Sequence, residues 1–156
     1  MPTAAGPLYE VDTRLRPSGT QGPLAVTFES FRKYQRESAW TWEHMALSRA
    51  RPVYGSTADR TQLKDEICSI LKTEREPEVL RKAVRKMRLD IVEHKPPKGP
   101  LDTKMMEGGL VDWEFIIHFL QLKTGDALYP QLGKAVRALV AQGHLGEDMV
   151  AAYELM

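Results

Sequence analysis

The sequence is poor in the features that would make its function easy to read. It holds one cysteine, Cys68, so no disulfide forms within the chain and a reducing compartment suits it. Cys68 lies in Ile67-Cys68-Ser69-Ile70-Leu71, a helical pattern with no partnering base in evidence, and reads as a structural thiol. Lys and Arg total 22 against 21 for Asp and Glu, a formal net charge of +1, which gives no basic footprint for nucleic acid. No apolar run approaches a membrane span. The first seven residues have neither a basic segment nor an apolar core, which argues against a signal peptide and for a cytoplasmic chain. There is no fixed-period repeat and no low-complexity tract. What the 156 residues do have is 42% hydrophobic content and three Trp, enough for a packed core in one domain or in a piece of a larger protein.

Only residues 7–26 read as β-structure. Leu8, Glu10, Asp12, Arg14 and Arg16 alternate with Tyr9, Val11, Thr13 and Leu15, so one strand face carries two carboxylates followed by two guanidiniums and the other is apolar. Pro17-Ser18-Gly19-Thr20-Gln21-Gly22-Pro23 is a turn cluster, and Leu24-Ala25-Val26 fits a short return strand. Two readings of the charged face stand. It is a solvated edge, or it is the layout phosphoryl and nucleotidyl transfer require, with carboxylates for a divalent cation and guanidiniums for phosphate.

The remainder reads as helix. Thr27, or Ser30, caps a helix to about Ser38, and a second covers Trp40 to Arg49. Glu43 and His44 in that second helix can serve acid–base or metal chemistry, but such residues more often anchor a helix to its neighbours. A third helix runs from Ser56 or Thr57 through Lys72, and a fourth from Pro77 to about Glu93. On the fourth, Val79, Leu80, Ala83, Val84, Met87 and Ile91 face inwards, while Arg81, Lys82, Arg85, Lys86 and Arg88 make a basic outer face. Residues 94–100, with three prolines, form a linker. Gly108-Gly109 then precedes an apolar helix, Val111 to Leu122. The paired glycines either expose backbone N–H groups to an anion, with Lys104 completing the site, or only permit a tight turn. Asp112 and Glu114, two apart on a helix, point to different sides and are no side-by-side metal pair. Two last helices fit Pro130–Gln142 and Gly146–Met156.

Three ordered motifs carry a resemblance. They are residues 8–19 (Leu-Tyr-Glu-Val-Asp-Thr-Arg-Leu-Arg-Pro-Ser-Gly), then Tyr34-Gln35 with residues 39–51 (Ala-Trp-Thr-Trp-Glu-His-Met-Ala-Leu-Ser-Arg-Ala-Arg), then Lys104, Gly108-Gly109 and Asp112-Trp113-Glu114-Phe115. Together they resemble the glutamine synthetase adenylyltransferases, a bifunctional family with one half attaching AMP to a tyrosine of glutamine synthetase and one removing it. The Trp-Thr-Trp-Glu-His wording at residues 40–44 and the Pro-Ser-Gly at residues 17–19 resemble the AMP-attaching half. The resemblance implies a mainly α fold: a helical bundle, residues 28–156, behind a small N-terminal β-hairpin, residues 1–27, left from a truncated nucleotidyltransferase sheet. It implies Mg2+ and ATP in the intact enzyme, and glutamine synthetase and a PII-type signalling protein as partners. Asp12 matches the third acidic position of the family's site, as catalytic residue and metal ligand. The earlier acidic pair has no counterpart, so this chain alone is expected to be inactive and to hold no cofactor stably. Arg14, Arg16, Lys104, Gly108 and Gly109 fall to nucleotide or phosphate binding, and Trp42, Glu43, Arg49, Asp112 and Glu114 to the structural motif or interface. Trp113 and His118 depart from the family wording. Two readings compete: a non-catalytic helical module that docks glutamine synthetase or the PII-type protein, and the AMP-removing half of the same family.

Overall fold

The computed structural model describes residues 2, 3, 6, 7 and 11–155. They form two compact units, Met1–Ala39 and Trp40–Met156. The expected division after residue 27 concerns where a sheet remnant ends, and it stays an expectation.

In the first unit the hairpin predicted over residues 7–26 is not formed among the described residues. Strand β1 (Pro2–Thr3) pairs antiparallel with β2 (Gly6–Pro7), Pro2 opposite Pro7 and Thr3 opposite Gly6. Residues 11–26 contain no strand. The start of the predicted strand, residues 8–10, lies outside the described residues. Local bonds replace the ladder. The Arg14 backbone N–H donates to Asp12 Oδ1 at 2.9 Å, and Arg16 Nη1 donates to the Thr13 carbonyl at 2.7 Å. Ser18 and Gly19 both take left-handed backbone, with φ of 61° and 53°, and lead into a single 3-10 turn, Gly19–Gln21. Val11, Leu15 and Leu24 are exposed, so the face expected to be buried is not. The physical reason is that a strand needs partners: residues 11–26 have no neighbouring strand to pair with among the described residues, and side-chain bonds to the backbone take over. Helix α1 (Phe28–Glu37) closes this unit. Thr27 caps it by accepting the Ser30 N–H at 3.2 Å, and Arg32 stacks over the Phe28 ring at 5.1 Å.

The second unit is all helix: α2 (Thr41–Leu47), α3 (Thr57–Leu71), α4 (Pro77–His94), α5 (Leu110–Thr124), α6 (Leu132–Ala141) and α7 (Asp148–Glu154). Its boundaries follow from capping. Glu43 reaches back to the Trp40 N–H at 2.8 Å and starts α2. Ser56 and Asp59 make a reciprocal box at the head of α3, each accepting the other's backbone N–H at 3.1 Å. Pro77 occupies the first turn of α4, where Glu76 caps the Val79 N–H at 2.6 Å. Gly125, at φ 71°, ends α5.

Helix α5 is the centre. It contacts α2, α4 and α6. It is apolar around most of its circumference, as a helix covered on several sides must be. Ile117, Gln121 and Leu122 on α5, Ile70 on α3, and Val136 and Leu139 on α6 have essentially no exposure. Beyond them, Trp113 meets Tyr153 of α7 edge-on, with ring centroids 6.0 Å apart. Gln121 is a polar member of this core. Its amide donates to the carbonyls of Ala127 at 2.7 Å and Tyr129 at 3.3 Å, and so pins the loop that follows α5.

On the outer face of α4, Arg81 pairs with Glu78 and Lys86 with Asp90, so part of the basic row is neutralised by its own helix. Arg88 is a correction. It was expected on the outer face and is instead mostly buried, its side chain 14% exposed. It lies one helical step beyond Val84 and two beyond Leu80, both buried, and so belongs to their stripe.

Candidate functional site

The charged residues of the first motif gather on a local turn. Arg14 grips Asp12 through Nε, at 3.0 Å from each carboxylate oxygen, and through Nη2, at 2.6 Å from Oδ2. This side-chain hydrogen bonding holds the Asp12 carboxyl far below the usual range, at about 2. Arg16 is spent on backbone carbonyls, those of Thr13 at 2.7 Å and Gly22 at 3.3 Å. In this conformation both Asp12 oxygens face a guanidinium. Among the described residues no group of three or more His, Cys, Asp and Glu could hold a metal ion. One carboxylate already neutralised by an arginine does not fit a magnesium site by itself.

In the second unit, the residues of the second and third motifs converge on the N-terminal half of α5. Asp112, in its first turn, pairs with Arg88 of α4 and accepts the Gly108 N–H at 2.7 Å. Arg88 Nη2 also donates to the Met105 carbonyl at 3.1 Å, while its Nη1 is buried without a partner among the described residues. Two turns of chain are thereby tied to one ion pair. Arg49, just past the end of α2, meets Glu114 at 3.4 Å. Glu43 caps α2, and Trp42 is part-exposed beside it. His44 Nδ1 lies 3.2 Å from Arg75 Nη2, and Arg75 also donates to the carbonyls that end α3, from Ile70, Leu71 and Thr73. Burial lowers the Arg75 pKa.

The anion reading of Gly108 and Gly109 meets a direct obstacle. The Gly108 N–H is taken by Asp112 and the Gly109 N–H by the Met106 carbonyl at 3.0 Å. The next two amides, of Leu110 and Val111, donate to Thr103 and Lys104 carbonyls at 3.0 and 3.1 Å. The anion at this turn is the chain's own Asp112. The tight-turn reading fits instead: Gly108 has φ 77°, and a Cβ on Gly109 would sit 2.5 Å from the Thr103 carbonyl oxygen. Lys104 is exposed.

One polar cluster was not singled out as a site beforehand. His118, buried on α5, brings Nδ1 to 2.8 Å from Ser48 Oγ and 2.9 Å from Gln121 Oε1. Gln121 presents only its acceptor there, and Ser48 gives its proton to the Met45 carbonyl at 2.6 Å. Nδ1 therefore carries the proton, and Nε2 is a buried lone pair with no partner among the described residues. Burial pushes the His118 pKa down, against a smaller upward pull from Gln121. The signal available beforehand was weak: one histidine between the apolar residues Ile116, Ile117, Phe119 and Leu120.

The chain is similar to known proteins. Residues 1–67 match the family described as glutamate-ammonia ligase adenylyltransferase. Three relatives carry the name bifunctional glutamine synthetase adenylyltransferase/adenylyl-removing enzyme. The one from Brucella suis is 51% identical over 121 residues, 78% of this chain and 12% of that protein. The one from Rhizobium meliloti is 43% identical over 154 residues, 99% of this chain and 16% of that protein. The one from Chromobacterium violaceum is 42% identical over 162 residues, 98% of this chain and 18% of that protein. The chain thus spans less than a fifth of the length of these relatives.

Proposed function

This chain belongs, over the length it spans, to the glutamate-ammonia ligase adenylyltransferase family, and on that premise we propose that it works as a segment of an enzyme transferring AMP from ATP to a tyrosine of glutamine synthetase. The tyrosine oxygen bonds to the α-phosphorus, the bond to the β-phosphate oxygen breaks, and pyrophosphate leaves. The observation that carries this reading is the 43% identity to the Rhizobium meliloti protein across nearly the whole chain.

Asp12 contributes one carboxylate to the acidic set of that enzyme, with the others supplied by residues outside this chain. Arg14 has a double use. Bound to Asp12, it keeps the carboxylate ionised; turned to a phosphate, it leaves both Asp12 oxygens open. One carboxylate cannot anchor the reaction alone, so this chain by itself is inactive. Among the described residues no helix is long and apolar enough to cross a membrane. The cytoplasm is the compartment that fits a regulator of nitrogen assimilation with one free thiol. A docking role toward glutamine synthetase or a PII-type protein is the second reading, favoured by a helical unit that carries its own core.

The test uses the chain alone and a full-length Rhizobium meliloti relative carrying this chain in place of its matched segment. Each is incubated with glutamine synthetase, labelled ATP and magnesium. The chain alone transfers no label, the chimera does, and Asp12→Asn in the chimera lowers the rate by orders of magnitude. An Asp12→Asn chimera that labels at the parental rate overturns the role of Asp12. Label transferred by the chain alone overturns its dependence on the rest of the enzyme.

A further inference from the structure

Between the end of α4 and the start of α5, residues 95–105 fold around an open groove of about 840 Å³. Three lysines line it, Lys95, Lys98 and Lys104, and all are exposed. None makes a side-chain ion pair among the described residues, whereas Lys86 and Arg81 on the neighbouring helix do. The one acid in the lining is Asp102, and it faces the loop. Its carboxylate accepts the Lys98 N–H at 3.0 Å and the Met105 N–H at 3.1 Å, and these backbone bonds, with a smaller pull from the Lys98 charge, hold its pKa low. It braces the groove, and its two oxygens are engaged by backbone amides.

Between the lysines the lining is apolar: Pro96, Pro100, Met105 and a Leu101 that is 90% exposed. The groove is also held in shape. Arg88 binds the Met105 carbonyl at 3.1 Å and is itself held by Asp112, so its far wall is tied to the α4–α5 packing. Prolines and a braced loop lower the ordering cost of binding.

We propose that this groove docks an acidic peptide segment of a protein partner, with an aliphatic side chain seated against Pro100, Leu101 and Met105 and its flanking carboxylates on Lys95, Lys98 and Lys104. The charge and the apolar floor together select this occupant. A free phosphate would use the lysines and leave the apolar residues in water. A single-stranded nucleic acid needs aromatic platforms for its bases, and no aromatic residue lines the groove. The proposal stands apart from the phosphate role expected of Lys104, and it does not depend on AMP transfer by the parent enzyme.

The experiment uses the full chain, isotopically labelled, with an amidated peptide of one leucine flanked by two glutamates on each side. Backbone amide shifts are followed by NMR at low and high salt. Saturable shifts concentrated in residues 95–105, weakened by salt, are expected. Replacing the peptide's leucine by glycine weakens binding severalfold. Lys98→Gln weakens it a few-fold, and the triple reversal Lys95→Glu/Lys98→Glu/Lys104→Glu by on the order of tenfold or more, as solvent-exposed ion pairs do. Shifts located elsewhere, no shifts at all, equal binding of the glycine peptide, or the same shifts from inorganic phosphate at equal concentration would each overturn the proposal. The mapping on the unsubstituted chain decides the location whether or not the triple variant folds.

Discussion

Asp112→Ala is the substitution whose cost the structure defines most closely. It removes the partner of Arg88 Nε and the acceptor of the Gly108 N–H. Arg88 is left 14% exposed with one remaining bond, to the Met105 carbonyl, and with Nη1 already unpartnered. Breaking a fully buried pair costs roughly 3–5 kcal/mol, because the survivor is a desolvated charge. Asp112 is itself 23% exposed, so water softens the loss, and about 2–3 kcal/mol is expected. That corresponds to a fall in Tm of about 10 °C for a unit of this size. Asp112→Asn keeps an acceptor for Gly108 and costs roughly half as much. Arg88→Met removes the charge and keeps much of the stem, so adding it to Asp112→Ala should recover part of the loss. Urea unfolding read by circular dichroism and tryptophan fluorescence, with Trp113 one residue away, gives the double-mutant cycle. A cost under about 0.5 kcal/mol for Asp112→Ala, or full additivity with Arg88→Met, would refute the claim that this pair ties α4 to α5.

Three further outcomes are expected. Since burial lowers the folded-state pKa of His118 below its usual 6.5, the unfolded chain takes up that proton first; stability is full above about 6.5 and falls with pH below it, down to the folded-state pKa. Urea midpoints at pH 7.5 and 5.5 should differ less in His118→Gln than in the parent, and an equal difference would remove His118 as the cause. Leu139→Ala opens a cavity at a fully buried position of α6 and should cost about 2–5 kcal/mol by the same unfolding assay. The Asp12 carboxyl should titrate near 2 by carbon-detected NMR and return towards the ordinary range in Arg14→Gln; no change in that variant would contradict the Arg14 bonds as the cause.

What could be read beforehand divides by range of interaction. Helix positions were legible because their starts are local chemistry. Thr27, the Ser56–Asp59 box and Pro77 each act within one turn, and all three begin helices here. The strand was not legible, since alternation at residues 8–16 describes what the chain does when neighbouring strands are present. Without them, the same Asp12, Arg14 and Arg16 satisfy their own backbone. Arg88 was misplaced because a run of basic residues outweighed its position four beyond Val84. The double glycine left two readings open, an anion site and a tight turn, for a related reason. Its free amides depend on what lies four residues on, and Asp112 is close enough to claim the first of them.

The residues of the third motif therefore act on different things. Glu114 holds Arg49 at the end of α2; Asp112 holds Arg88 of α4 and the Gly108 amide. Two acids two residues apart on α5 point to different sides, as helical geometry requires, and each side carries a different neighbour. Their spacing thus orients α2 and α4 about one central helix. The consequence reaches the loop before α5. Arg88 grips Met105 on one side, Asp112 grips Gly108 on the other, and Asp102 braces residues 98–105 from within. A loop with three prolines between residues 96 and 100, and with Gly99, Gly108 and Gly109, would otherwise be a spacer between helices. Tied at these points, it carries three exposed lysines on a braced backbone, which lowers the ordering cost of recognising a partner.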